Sequence, residues 1–218
     1  MLGKTHMMVG IAATLAITHP DTLSGFVTAA GIGAIGALIS DIDVGTSSSH
    51  RDANRVIFLT IAVAVIFLAV DYFGKFGLVQ TILQNSSIVR ILLGVALFLV
   101  VCAFGKETPH RSFMHSFTAL AALDAALCLI YPSIAVYFTI GFLSHLATDI
   151  FNKKKVRLLY PMKGGVCLNL FHAYGTANTV FFIAGCAVTA LETILLLVRI
   201  AGNFTAVSYT HLTLPTIA

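Results

Sequence analysis

The chain has 218 residues, of which 58% are hydrophobic and 10% charged, with a mean hydropathy of +0.94. A soluble domain carries about 25% charged residues, so this composition excludes a soluble globular enzyme and a disordered chain alike. The formal net charge is +4, and the basic residues gather at the ends of apolar runs, which fits membrane topology signals and argues against a nucleic-acid footprint.

Seven apolar segments are expected, at residues 5–18, 23–40, 56–73, 88–104, 113–131, 134–150 and 177–199. Inside lipid each backbone polar group must be satisfied within its own segment, so helix is the expected state. The fold class is therefore all-α: a polytopic integral membrane helical bundle with about six or seven membrane segments. The first segment is short for a full crossing. It follows Lys4-Thr5-His6 directly, without a cleavable leader pattern.

The second segment contains Gly31-Ile32-Gly33-Ala34-Ile35-Gly36. This GxGxxG match lies inside an apolar span, not between a strand and a helix, so a dinucleotide site is not expected. Ala29, Gly33 and Ala37 read as a small-residue packing face instead. His19-Pro20-Asp21 is similar to the tripeptide of J-domain co-chaperones but lacks their basic helices, and reads as a turn with an Asp cap. Asn85-Ser86-Ser87 is a sequon without weight in a bacterial-looking chain. Asp124 and Glu192 lie within apolar spans, where acids mark ion pathways or pair internally. Asp71 and His172 read as solvated. Cys102, Cys128, Cys167 and Cys186 have no CxxC spacing, which argues against a disulfide framework or a thiolate zinc knuckle.

Residues 1–206 read as a single membrane-embedded domain. Residues 207–218 read as an artefactual tail, because Val207 to Thr216, VSYTHLTLPT, resembles a translated sequencing adapter. His211 is given no functional role.

If all seven segments cross, one side holds the start of the chain and the loops 41–55, 105–112 and 151–176. That side carries Lys4, Arg51, Arg55, Lys106, Arg111, Lys153, Lys154, Lys155, Arg157 and Lys163, ten of the thirteen Lys and Arg residues. Lys75, Arg90 and Arg199 fall on or near the other. The positive-inside rule makes the first side cytoplasmic. His6, Asp41, Asp43, His110, His115, His145 and Asp149 then all meet at that one face.

His145 and Asp149 are spaced i, i+4 on one helix face, within reach of a common ion. His110 and His115 straddle the entry to a span, with Arg111 beside the first, and Arg grips anions bidentately. Asp41 and Asp43 end a span, where carboxylates oppose the helix dipole unless a cation compensates. His6 gains weight from sharing their side. Seven such side chains exceed one tetrahedral zinc and suit a two-metal site with open positions. No GxSxG elbow or Ser/His/Asp triad is present.

At these residues the chain resembles the YdjM-like family, described as LexA-regulated, inner-membrane, metal-dependent hydrolases. The resemblance rests on Thr5-His6, Ser40-Asp41-Ile42-Asp43, His110-Arg111-Ser112-Phe113-Met114-His115-Ser116 and Gly141-Phe142-Leu143-Ser144-His145-Leu146-Ala147-Thr148-Asp149, closed by Arg157-Leu158-Leu159-Tyr160-Pro161. It covers roughly residues 3 to 165. Ser40 stands where the family has Pro, and Ser112 and Met114 where it has Gly and Thr, while every ligand-type position is kept.

The function expected is metal-dependent hydrolysis of a phosphoester or lipid-like ester at the cytoplasmic face of a bacterial inner membrane. The metal residues expected are His6, Asp41, Asp43, His110, His115, His145 and Asp149. Asp43, His110 and Arg111 are the expected catalytic groups. The cofactor is one or two divalent ions, zinc before manganese, and the partner a membrane lipid or lipid-linked substrate. The alternatives are a divalent-metal or ion-coupled transporter, and a non-catalytic membrane protein with a structural metal site.

Overall fold

The computed structural model describes residues 1–44, 65, 69, 72–75, 77–170, 172 and 175–212. The expected segment 56–73 falls almost wholly outside the described residues, as do Arg51, Arg55, Asp71 and the end of the tail.

Helix α1 (Gly3–Thr18) is followed by α2 (Leu23–Ile39), which tightens into a 3-10 turn at Ser40–Asp43. Next come a short α3 (Leu78–Gln84), α4 (Ser86–Glu107) and a 3-10 turn at Phe113–His115. The chain continues through α5 (Phe117–Ile130), α6 (Pro132–Ile150) and α7 (Thr176–Leu212). Val65, Ala69 and Tyr72–Gly74 are also helical, and no named element among the described residues is a strand. An isolated antiparallel bridge joins Val156 and Val166.

Local chemistry sets the ends of these helices. The Asn85 side chain accepts from the Ser87 and Ile88 amides, so the apparent sequon is the N-cap of α4. Pro132 opens α6 at a position where its missing N–H costs nothing. The turn after α1 differs from the expected Asp cap. Thr22 caps α2 by accepting from Gly25 N, while His19 closes α1 in the left-handed region. The segment expected at 113–131 is also divided. Ser116 accepts from Ala119 N and starts α5 only at Phe117, which leaves Phe113–His115 as a separate turn.

Among the described residues four stretches are long and apolar enough to cross a membrane: Leu23–Asp43, Ser86–Glu107, Pro132–Ile150 and Thr176–Gly202. At 16 and 14 residues, α1 and α5 fall short of the roughly 20 that a crossing needs. The outer faces are apolar: Leu23, Val27, Leu93, Val100, Ile183, Leu197 and Val198 are all exposed. A soluble monomer rarely shows so continuous a surface, whereas lipid accommodates it.

Inside, α1 packs on α2, α6 and α7, α2 packs on α6, and α4 on α5. The core is built from Phe138, Phe142, Leu123, Met114, Ile42 and their neighbours. The α2–α6 contact is backbone to backbone. A Cβ on Gly141 would collide with the Gly33 carbonyl, and one on Gly36 with the Phe138 carbonyl. The GxGxxG match is thus a packing face, with Ala29, Gly33, Gly36 and Ala37 all buried.

Away from that face, Glu192 on α7 pairs with His19 Nδ1 at 3.2 Å, and Arg199 reaches the His19 carbonyl and Asp21. Glu192 is therefore internally paired. Asp124 Oδ2 accepts from Thr139 Oγ1 at 2.7 Å, joining α5 to α6. Cys102, Cys128, Cys167 and Cys186 are free thiols.

Candidate metal centre

The C-terminal ends of α2 and α6 and the start of α1 converge with the His110–His115 turn. The i→i+3 winding at Ser40–Asp43 turns Ile42 into the core and Asp43 toward the turn. Arg111 adopts φ 64, and Ser112 closes on the Pro109 carbonyl, so the chain doubles back before His115. His115 is fully buried as a result, and so is His145 on α6.

All seven residues expected from the sequence meet here. His145 Nδ1 lies 2.6 Å from the Ala37 carbonyl. A carbonyl can only accept, so the proton sits on Nδ1 and Nε2 turns a lone pair inward. That Nε2 is 3.3 Å from His115 Nε2. The other nitrogen of His115, Nδ1, faces Asp43 Oδ2 at 3.3 Å, off-line for a hydrogen bond but drawn to the carboxylate. Asp41 Oδ1 lies 3.8 Å from both Nε2 atoms, and Asp149 Oδ2 lies 3.6 Å from that of His115.

The remaining residues brace this centre. Asp43 Oδ1 meets His110 Nδ1 at 2.8 Å, while its Oδ2 accepts from Arg111 N at 3.1 Å. Arg111 spans to Asp149 Oδ2 at 2.9 Å and to the Lys154 carbonyl at 2.6 Å. His6 stacks on His145 with centroids 3.9 Å apart, and its Nε2 is 3.4 Å from Asp149 Oδ1. Its Nδ1 pairs with Thr148 Oγ1 at 2.9 Å. Asn152 donates to Asp149 Oδ1, which also lies 3.2 Å from the Met1 nitrogen.

The charge balance favours a cation. Three carboxylates and the negative ends of two helices face one guanidinium and the Met1 amine, so the neutral-imidazole state is electron-rich. With His115 carrying its proton on Nδ1, toward Asp43, the two Nε2 lone pairs face each other and repel unless a cation lies between them; with the proton on Nε2 the same contact is an N–H···N hydrogen bond. A tetrahedral zinc with Zn–N near 2.0–2.1 Å holds two nitrogens about 3.3–3.4 Å apart. The observed Nε2–Nε2 separation of 3.3 Å fits that span. Among the described residues three overlapping groups have ligand spacing: His115 with His145 and Asp149, His6 with Asp41 and His145, and Asp41 with His110 and His115. The donor set of imidazole nitrogen and carboxylate oxygen suits zinc or manganese.

Sequence reading missed the supporting contacts of Thr148, Asn152 and the Ala37 carbonyl. Thr148 and Asn152 carry a retrievable signal, lying three residues after His145 and Asp149. The Ala37 carbonyl carries none, since it depends on how α2 meets α6. His172, read as a surface residue, is exposed.

Compared with known sequences, the chain matches over residues 1–214 the model of a family described as YdjM inner membrane protein. No curated protein and no solved structure matches it.

Proposed function

The chain belongs to the YdjM inner membrane protein family, and from that premise we propose a membrane-bound, metal-dependent hydrolase. It acts on a phosphoester or lipid-like ester at the cytoplasmic face of the bacterial inner membrane. The observation that carries this reading is the pair of buried imidazole Nε2 atoms facing each other at 3.3 Å with Asp41 and Asp149 beside them.

His115, His145, Asp41 and Asp149 would hold the ion. When bound, a divalent ion supplies Lewis-acid chemistry, polarising a substrate oxygen and acidifying water. His110, whose ring is about two-fifths exposed, is the histidine at the rim. With Nδ1 held by Asp43, its Nε2 is placed to take a proton from attacking water and return it to the leaving group. Both oxygens of Asp43 are engaged by His110, Arg111 N and His115, which favours positioning over ligation. Arg111 steadies Asp149 and presents positive charge to an anionic substrate. His6, with Asp41 bridging, would contribute to a second ion, since the one free nitrogen of His145 serves the first.

The orientation rests on Lys106, Lys153, Lys154, Lys155 and Arg157, which share the site's end of the bundle. That placement makes a lipid or lipid-linked substrate natural.

Asp43→Asn is expected to lower turnover of a chromogenic phosphodiester by about 10–100-fold at saturating zinc, the usual cost of losing a group that orients a metal-bound histidine. Unchanged turnover would remove Asp43 from the mechanism. The transporter alternative needs Asp124, which among the described residues pairs only with Thr139. Asparagine keeps that acceptor, so Asp124→Asn should leave turnover within about twofold of wild type, because the variant preserves the hydrogen bond. A larger loss would favour ion coupling through α5.

A further inference from the structure

Beside the centre lies an open cleft of about 370 Å³, lined by His110, Arg111, Lys155, Arg157, Gly164 and Gly165 among others. That volume is in the range of a small-molecule site. Its rim is built rather than incidental. Val156 and Val166 exchange two backbone hydrogen bonds of 2.9 Å, and Val156 is fully buried. Arg157 N donates to the Arg111 carbonyl at 3.1 Å, and Arg111 in turn holds the Lys154 carbonyl. The loop carrying Lys155 and Arg157 is thus stitched to the turn carrying His110 and Arg111. Gly164 has φ 128, and a Cβ on Gly165 would sit 3.0 Å from Lys155 Cβ, so the glycines let the far wall close.

Among the described residues no carboxylate lines this cleft. Among the described residues Lys155 and Arg157 form no ion pair, and both are exposed. Arg111 Nε is buried without a partner. Arg111 is countered by Asp149, so Lys155 and Arg157 leave the cavity with an excess of positive charge that an entering anion neutralises. A tetrahedral phosphoryl group offers several oxygens and up to two charges to such an array, more than a carboxylic ester does.

We infer that this cleft seats the phosphoryl oxyanion of the substrate, with Lys155 and Arg157 as its docking cations, which makes the substrate class a phosphomonoester or phosphodiester. Arg111 joins the seat to the centre through Asp149. The inference rests on the hydrolase reading for its meaning, though anion binding is measurable without metal.

The test uses the full chain in phosphatidylcholine nanodiscs, stripped with chelator. Two probes are compared: inorganic phosphate by calorimetry, and phosphatidic acid in the disc by native mass spectrometry. Wild type is expected to bind at least one probe. The double variant K155Q/R157Q should weaken that binding by about tenfold or more, whereas K153Q/K154Q, an equal charge loss outside the lining, stays within about twofold. Preference for phosphate points to a soluble phosphoester, and preference for phosphatidic acid to a lipid headgroup. Binding by neither probe, or equal binding in wild type and K155Q/R157Q, overturns the inference. Zinc reloading on the same samples separates the two readings: an empty centre with intact phosphate binding refutes the hydrolase alone.

Discussion

His145→Ala is expected to reduce turnover of a chromogenic phosphodiester by more than 100-fold, beyond the roughly 10–100-fold cost of disturbing an outer group. The buried imidazole acts at both ends. Its Nδ1 donates to the Ala37 carbonyl and its Nε2 faces His115. Alanine removes the proposed ligand and takes the imidazole donor away from the Ala37 carbonyl, a structural cost of about 1–3 kcal/mol. His145→Gln separates the two effects, because its amide still donates to Ala37 but its side chain lacks the imidazole. Both variants should lose activity, while only alanine should lower the thermal midpoint substantially. Activity within about tenfold of wild type in both would contradict ligation by His145.

Gly141→Ala should produce the largest loss of stability among single methyl additions. Its Cβ would collide with the Gly33 backbone, which belongs to a helix and cannot swing aside as a side chain can. The α2 and α6 helices must separate, at about 1–3 kcal/mol or more. Because Ala37 on α2 orients His145 on α6, separation should also weaken zinc retention. Gly31→Ala is the internal control. Nothing lies within 4 Å of its added Cβ, and alanine favours helix by about 1 kcal/mol, so stability should hold or rise slightly. Thermal unfolding in detergent with zinc content measured alongside checks both. A Gly141→Ala protein as stable as wild type would show that α2 and α6 do not approach as described.

The seven metal-type residues were legible because ionisable groups stand out in apolar sequence and because alternating segments assign sides. Their division of labour was not. Asp41 and Asp43 look equivalent in Ser40-Asp41-Ile42-Asp43. Only the 3-10 winding shows that Asp41 faces the two Nε2 atoms while Asp43 stands behind His115. The start of α5 was misplaced because hydropathy runs evenly through Phe113-Met114-His115, and the break comes from the Ser116 cap. Lys155 and Arg157 were read only as topology charges. Which of ten cations lines a cleft depends on the Val156–Val166 bridge, a pairing too short to leave a strand pattern. In sequence Glu192 reads as either a pathway residue or an internal pair, and His19 across 173 positions decides for the pair.

The His/Asp cluster is proposed to be a metal site. Mass-spectrometric metal analysis of the full chain, purified in detergent and reloaded with zinc after chelation, tests it most directly. Wild type should retain one or two equivalents after gel filtration, the number allowed by one or two ions sharing this cluster, and His145→Ala and Asp41→Ala should retain none. A folded, monodisperse wild type that holds no zinc or manganese would contradict the account and recast the cluster as a network of hydrogen bonds and ion pairs tying α1, α2 and α6 together.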